Sequence, residues 1–193
     1  MDEISDIELI SQYLVGNHKS FEGLVIRYTQ IIYRFSLKLV GNKEEAHDVT
    51  QETIIKAWKN IKKFDKKRSF KTWIFTIAQR TAIDFLRKRK NVNFSDLDNE
   101  NIENSFEQSI PDKEPIADEI FERNENIELV QQALETISFE SKAIVLLKNG
   151  EDMTFDEIAE VLEKPLNTVK SQYRRTLISL KKIVTERMHQ NKP

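Results

Sequence analysis

The sequence predicts an all-α protein, two small helical domains joined by a flexible acidic linker. Three observations point there. Only 4 Gly and 4 Pro occur in 193 residues, so tight turns and strand punctuation are scarce. Apolar residues recur three and four apart over long stretches, the period of helices with one buried face. Charge is segregated into blocks: thirteen cations against Asp65 and Asp84 from Lys56 to Lys90, twelve acids against Lys113 and Arg123 from Asp96 to Glu128, and seven cations against Glu186 from Lys164 to Arg187. The formal net charge of −2 is therefore a cancellation. Two basic modules around an acidic tract suit a chain that grips a polyanion at two places.

The elements follow in order. Ile4 to Val15 is a short amphipathic segment with Ile7, Ile10 and Leu14 on one face, closed by Gly16. A longer helix carries Phe21, Leu24, Val25, Tyr28, Ile31, Ile32, Phe35 and Leu39 and stops at Gly41-Asn42, a C-terminal signal. A third runs from about Lys43 to Ile61, with Ala46, Val49, Thr53, Ile54 and Ala57 inward. After a charged loop from Phe64 to Ser69, a fourth extends from Phe70 to about Lys90, burying Ile74, Ile77, Ala78, Thr81 and Phe85. Residues 1–90 are thus expected to form the first domain.

Asn91 to Pro115 is rich in Asn, Ser, Asp and Glu and poor in large apolar residues. It cannot bury enough surface to offset its ordering entropy, so it reads as the linker, 91–115. Stretched at ~3.3–3.6 Å per residue it reaches roughly 80–90 Å, more than the ~70 Å of two DNA turns. The second domain, 116–193, opens with a helix carrying Ile116, Ile120, Ile127, Val130, Leu134 and Ile137, followed by one from Ser138 to Lys148.

A helix-turn-helix pattern comes after Gly150. Thr154 with Glu157 makes a capping box opening Phe155 to Leu162, and Pro165 starts the next helix, where its missing N–H costs nothing. Val169, Tyr173, Leu177 and Leu180 face inward. Asn167, Thr168, Lys170, Ser171, Arg174 and Arg175 face outward, as in a helix that reads the major groove. Glu163 holds the turn position where such motifs often carry Gly.

In the first basic module, cations interleave with aromatics, a pattern that serves phosphate neutralisation and base stacking. Trp58, Phe75 and Phe85 read as core. Phe64, Phe70 and Trp73, in or beside the loop, are balanced between core and a stacking role. Asp48, Gln51 and Glu52, at offsets of three and four, share one helical face and could offer carboxylates to a partner's arginines.

Several function classes are excluded or set aside. No cysteine is present, so there is no disulfide or thiolate metal site. His18, His47 and His189 are scattered and fit no metal spacing, so no metal and no cofactor are expected. No phosphate loop, nucleophile elbow or dinucleotide fingerprint occurs, and the chain is not expected to be an enzyme. With an acidic N-terminus and no long apolar run it is expected to be soluble and cytoplasmic, with no membrane insertion.

The words Asp48-Val49-Thr50-Gln51-Glu52, Ala57-Trp58, Phe70-Lys71-Thr72-Trp73-Ile74, Ile77-Ala78 and Ile83-Asp84-Phe85-Leu86-Arg87 stand in this order in the first half. Thr154-Phe155-Asp156-Glu157-Ile158-Ala159 and Pro165-Leu166-Asn167-Thr168-Val169-Lys170-Ser171 follow in the second. Their order and spacing resemble the extracytoplasmic-function sigma factors, the minimal sigma-70 family subunits of bacterial RNA polymerase. The resemblance implies that Asp48, Gln51 and Glu52 dock on the clamp helices of the polymerase largest subunit, the flap being a further contact. It implies that Phe64, Lys66, Lys67, Arg68, Phe70, Lys71, Trp73, Arg80 and Arg87 recognise and melt the −10 element, a base being flipped from the stack. It implies that Asn167, Thr168, Lys170, Ser171, Arg174 and Arg175 read the −35 element, that promoter DNA is bound both as duplex and as melted single strand, and that an anti-sigma factor is a partner. The chain departs from the family at Gln79-Arg80, where Arg-Asn usually follows Ile-Ala, and at Gln172, where Arg often follows the Ser. The rival reading is a helix-turn-helix regulator that needs no polymerase.

Overall fold

The structure, a computed structural model, describes residues 4–93 and 132–190. Those residues form α1 (Asp6–Leu14), α2 (Lys19–Val40), α3 (Lys43–Asn60), a 3-10 turn (Ile61–Lys63), α4 (Phe70–Asn93), α5 (Phe139–Gly150), α6 (Phe155–Leu162) and α7 (Leu166–Gln190). Residues 132–135 are also helical. The expected linker beyond Asn93 and most of the helix expected from Ile116 to Ile137 lie outside the described residues. The fourth helix runs three residues past its expected end at Lys90.

Local chemistry sets the boundaries. The Ser5 hydroxyl accepts from the Glu8 N–H to open α1, and Asn42 Oδ1 accepts from the Glu44 and Glu45 N–H groups to open α3. Between α2 and α3 the chain turns on Gly41 at φ 77°, a left-handed conformation that suits glycine, with its N–H donating to Leu37 O at 2.9 Å. Ser138 caps α5, and Thr154 with Glu157 closes a reciprocal capping box on α6.

α2, α3 and α4 pack on one another, α1 lies along α2, and α5, α6 and α7 pack together. The two groups are also joined, α4 against α6 and α2 against α5. One apolar cluster accordingly runs through both halves, from Ile32, Phe35 and Phe75 to Ile144, Met153 and Ile158, all nearly inaccessible. Phe35 and Phe75 meet edge to face at 5.1 Å, the geometry ring quadrupoles favour. A smaller cluster of Ala133, Leu134, Val145, Leu177, Leu180 and Val184 lies along α7. No described helix is long and apolar enough to cross a membrane.

Two expectations about aromatics need correction. Trp58, expected in the core, is 52 % exposed, because the face of α3 that packs carries Ala46, Val49, Thr53 and Ala57, and Trp58 lies on the other. Phe64 and Phe70 take the core alternative at 7 % and 2 % exposure and are not available as stacking surfaces here. They form a ring cluster with Trp73 at centroid separations of 5.2–5.6 Å, and Tyr28 meets Phe70 edge-on at 5.2 Å. The loop that carries the cations is anchored by these rings.

Candidate nucleic-acid and partner interfaces

Three surfaces hold the expected site residues. The first is the outer stripe of α3. Asp48 and Gln51 are exposed and Glu52 half-exposed, and Ile55 and Trp58 continue the same stripe one and two turns on, 42 % and 52 % exposed. The sequence reading missed Ile55 and Trp58 as members of this face. Their spacing of seven and ten from Asp48 was the available signal, outweighed by the general tendency of tryptophan toward burial. Lys56 lies between Glu52 at 3.7 Å and Asp84 of α4 at 3.8 Å and donates to Thr81 Oγ1 at 3.2 Å. It fixes one wall of a shallow groove lined by Glu52, Lys56, Asp84, Phe85, Arg87 and Lys88.

The second surface is the loop after the 3-10 turn and the start of α4. Asp65 organises the loop: its carbonyl accepts from the Arg68 N–H at 2.9 Å and its Oδ1 from the Lys67 N–H at 3.0 Å. Ser69 Oγ accepts from the Thr72 N–H at the mouth of α4. Lys66, Lys67 and Arg68 are exposed on this loop, and Lys66 Nζ donates to Ser11 Oγ of α1 at 3.0 Å. Trp73 is half-buried against the core, and Arg80 and Arg87 are exposed along α4.

This basic face is not open to solvent throughout, because α6 and the residues before it lie on it. Arg68 Nε pairs with Glu160 at 3.2 Å, Arg80 pairs with Glu163, and Lys71 Nζ donates to the backbone carbonyl of Glu151. Burial holds the Glu151 carboxyl above its ordinary range. The charges of Lys71, Arg34 and Lys38 draw it part of the way down again, while that of Asp152 adds to the rise.

The third surface is the outer face of α7. Val169 is fully buried and sets the rotation of the helix, with Leu177 and Leu180 following it inward. Asn167, Thr168, Lys170, Ser171 and Arg175 are then exposed together and Arg174 is half-buried, so the predicted recognition residues do share one side. The Ser171 hydroxyl donates to Thr168 O at 3.0 Å and Arg175 Nε to Ser171 O at 3.4 Å. Between α6 and α7 the chain passes through Glu163 at φ 53°, its N–H donating to Glu160 O at 3.3 Å and that of Lys164 to Ala159 O at 3.0 Å. Lys164 then reaches Glu140 of α5 at 2.6 Å, holding the turn to the bundle.

Comparison with known proteins follows this division. The family description Sigma-70 region 2 matches residues 24–92, and Sigma-70, region 4 matches residues 127–180. The ECF RNA polymerase sigma factor SigW of Bacillus subtilis is 30 % identical over 178 residues, covering 90 % of this chain and 93 % of the relative. RNA polymerase sigma factor SigV of the same organism is 32 % identical over 150 residues, with coverage of 78 % and 82 %. The fold is that of the sigma factor RpoE from Bartonella quintana, solved in complex with the anti-sigma factor NepR. Its TM-score is 0.68 at 19 % identity, with 86 % of this chain and 98 % of that one superposed.

Proposed function

The chain belongs to the extracytoplasmic-function sigma factors of the sigma-70 family, and from that premise we propose how its three surfaces divide the work of a polymerase-binding, promoter-specific initiation factor. The stripe Asp48, Gln51, Glu52, Ile55 and Trp58 docks on core RNA polymerase. Carboxylates at one end meet arginines, while the exposed indole supplies the apolar anchor that dominates many interfaces. The polymerase clamp helices are the partner of this stripe and the flap is that of the C-terminal half.

The loop and α4 take the −10 element. Lys66, Lys67, Arg68, Lys71, Arg80 and Arg87 neutralise phosphates, and Trp73, at the edge of its ring cluster, is the aromatic placed to receive an unstacked base. Phe64 and Phe70 act beneath it as the platform that positions the loop. The outer face of α7, with Asn167, Thr168, Lys170, Ser171, Arg174 and Arg175, reads the −35 duplex. The domain division follows: 1–90 docks and melts, 91–115 tethers, and 116–193 reads upstream. Bond-making stays with the polymerase, so the chain works in the cytoplasm by binding alone, and an anti-sigma factor would act by covering these same surfaces.

The observation that carries this reading is the arrangement of three differently built surfaces, acidic-apolar, basic-aromatic and basic-helical, on a chain with both sigma-70 regions. A regulator independent of polymerase has no use for the first of them. Run-off transcription by core polymerase with this chain over a library of genomic promoters tests it. The expected result is initiation at a defined subset of starts, absent without the chain. No chain-dependent initiation at any start would overturn the reading.

A further inference from the structure

We infer that Gln172 and Tyr173 are positioning residues: two divergent tethers to α5 fix the fine rotation of α7 about its own axis, and so set which outward side chains meet the −35 base edges. The inference rests on the assignment of the α7 face above and adds how its specificity is held.

The tethers are hydrogen bonds from neighbouring residues. Gln172 Nε2 donates to Ser141 Oγ at 3.3 Å, and the Tyr173 hydroxyl donates to Asn149 Oδ1 at 3.0 Å. Ser141 lies in the first turn of α5 and Asn149 in its last, so the anchors stand about 12 Å apart along that helix. Gln172 and Tyr173 leave α7 at almost one level, about 100° apart around its axis. The bonds therefore diverge. Rolling α7 in one sense stretches the first, and rolling it in the other stretches the second.

Both ends of these bonds are themselves held. The Ser141 N–H donates to Ser138 Oγ at 3.2 Å, and the Ser138 hydroxyl donates to Ser141 Oγ at 3.0 Å. The ring of Tyr173 meets Phe155 of α6 edge to face at 5.2 Å, so its hydroxyl is aimed from a seated ring. Burial of Val169, Leu177 and Leu180 sets the rotation of α7 coarsely. Apolar attraction is non-directional, however, and resists a small roll less than a hydrogen bond does.

Asn149 points the same way on separate grounds. Its Nδ2 is buried with no partner among the described residues. An unmade buried donor lowers stability, and a leucine of nearly the same shape would not incur that cost. What asparagine supplies in return is one acceptor for Tyr173. A residue poor for stability but good for one directional bond answers a requirement of orientation.

The consequence lies on the outer side of the helix. Lys170 and Ser171 precede the tethered pair, and Arg174 and Arg175 follow it. A roll of about 20° moves an atom at a radius of about 6 Å by about 2 Å, enough to break a bidentate contact with a base edge. Long cations reaching phosphates accommodate such a shift, and phosphate contacts carry no sequence information. The tethers therefore act on discrimination more than on affinity.

The test uses holoenzyme assembled from core polymerase and the full chain. A randomised −35 library yields the duplex that the parent holoenzyme binds most tightly, and binding to it is compared with binding to each single-position mismatch. Tyr173→Phe with Asn149→Leu removes one tether and the orphaned amide together, so its Tm should equal or exceed the parent's. Gln172→Ala with Ser141→Ala removes the other tether. Either pair should relax discrimination about three- to tenfold at several −35 positions at once, with affinity for core polymerase unchanged. Discrimination equal to the parent's in both pairs overturns the inference. So does a lowered Tm with equal losses on matched and mismatched duplexes, which would mean that the tethers only hold the fold. A loss confined to one base position in the Gln172 pair, with none in the Tyr173 pair, overturns it too, since the amide would then read a base itself. A parent holoenzyme that does not distinguish −35 sequences would sink the assignment of the α7 face, and the inference with it.

Discussion

The phenol of Tyr28 donates to Asp6 Oδ2 across 22 positions of sequence, and the other oxygen of that carboxylate receives Arg27, so one acid at the start of α1 is bound twice by α2. Tyr28 is 5 % exposed, and burial first, then the Asp6 hydrogen bond and charge, drive its ionisation well above the ordinary range. The hydroxyl is a committed donor with a single acceptor. Asp6→Ala leaves that buried donor unmade, at a cost of about 1–3 kcal/mol. The expected result is a fall of several degrees in Tm. In a Tyr28→Phe background, where no donor is left stranded, the same substitution should cost less, and the double-mutant cycle by thermal denaturation measures the coupling.

The helix ends were legible because their causes are local. Gly41, Asn42, Ser138, the Thr154–Glu157 box and Pro165 each act within a few residues, and the structure starts or stops helices beside all of them. The rotation of α7 was legible too, since Val169, Leu177 and Leu180 leave one inward solution. Trp58 was misread because residue type was weighed above its register with Asp48 and Gln51. The contact of α4 with α6 could not be read at all: Arg80 and Glu163 are both exposed, charged and far apart in sequence, and no periodicity links them. Each stands in the sequence as a departure from a pattern, Arg80 also as a candidate −10 residue, and the fold places the two against one another.

The stripe on α3 yields a prediction separable from stability. Among the described residues Glu52 pairs with Lys56 alone, in a half-exposed contact, and Asp48 is exposed, so removing both carboxylates should leave Tm within about 1–2 °C. Asp48→Ala with Glu52→Ala should weaken binding to core polymerase several-fold. Trp58→Ala, which takes away the apolar anchor, should cost tenfold or more. Titration of fluorescent chain with core polymerase measures both, and unchanged affinity in the Trp58 variant would remove that residue from the interface.

Glu151 gives a pH dependence whose sign is fixed by its surroundings. Burial raises its folded-state pKa above the ordinary value of 4.5, so between those two values the folded chain holds more protons than the unfolded one. The cost of burying the charge is therefore fully present at neutral pH and is relieved as pH falls through the raised value. Glu151→Gln removes the charge while keeping the backbone carbonyl that receives Lys71. The variant should be slightly more stable than the parent at neutral pH, on the order of 1 °C in Tm because the group is only half-buried, and the difference should shrink toward pH 4.5. Parallel thermal scans across that range read it directly. A variant less stable than the parent at neutral pH, with the deficit vanishing on acidification, would mean that attraction to Lys71, Arg34 and Lys38 outweighs burial.

The outer face of α7 predicts a salt dependence. Lys170 projects from a helix whose rotation is set by fully buried Val169, and Arg174 lies one turn further along. Each phosphate neutralised on duplex DNA releases condensed counterion and contributes about −0.9 to the slope of log K against log salt. Lys170→Ala with Arg174→Ala should therefore weaken holoenzyme binding to −35 duplex and flatten that slope by about one to two, while leaving polymerase association unchanged. If one of the pair reads a base edge instead, the slope changes by only one and discrimination between −35 sequences relaxes at a single position. Binding isotherms at several salt concentrations on matched and mismatched duplexes separate the two cases. A slope equal to the parent's would show that these cations meet no phosphate, and the recognition helix would have to be sought elsewhere on the chain.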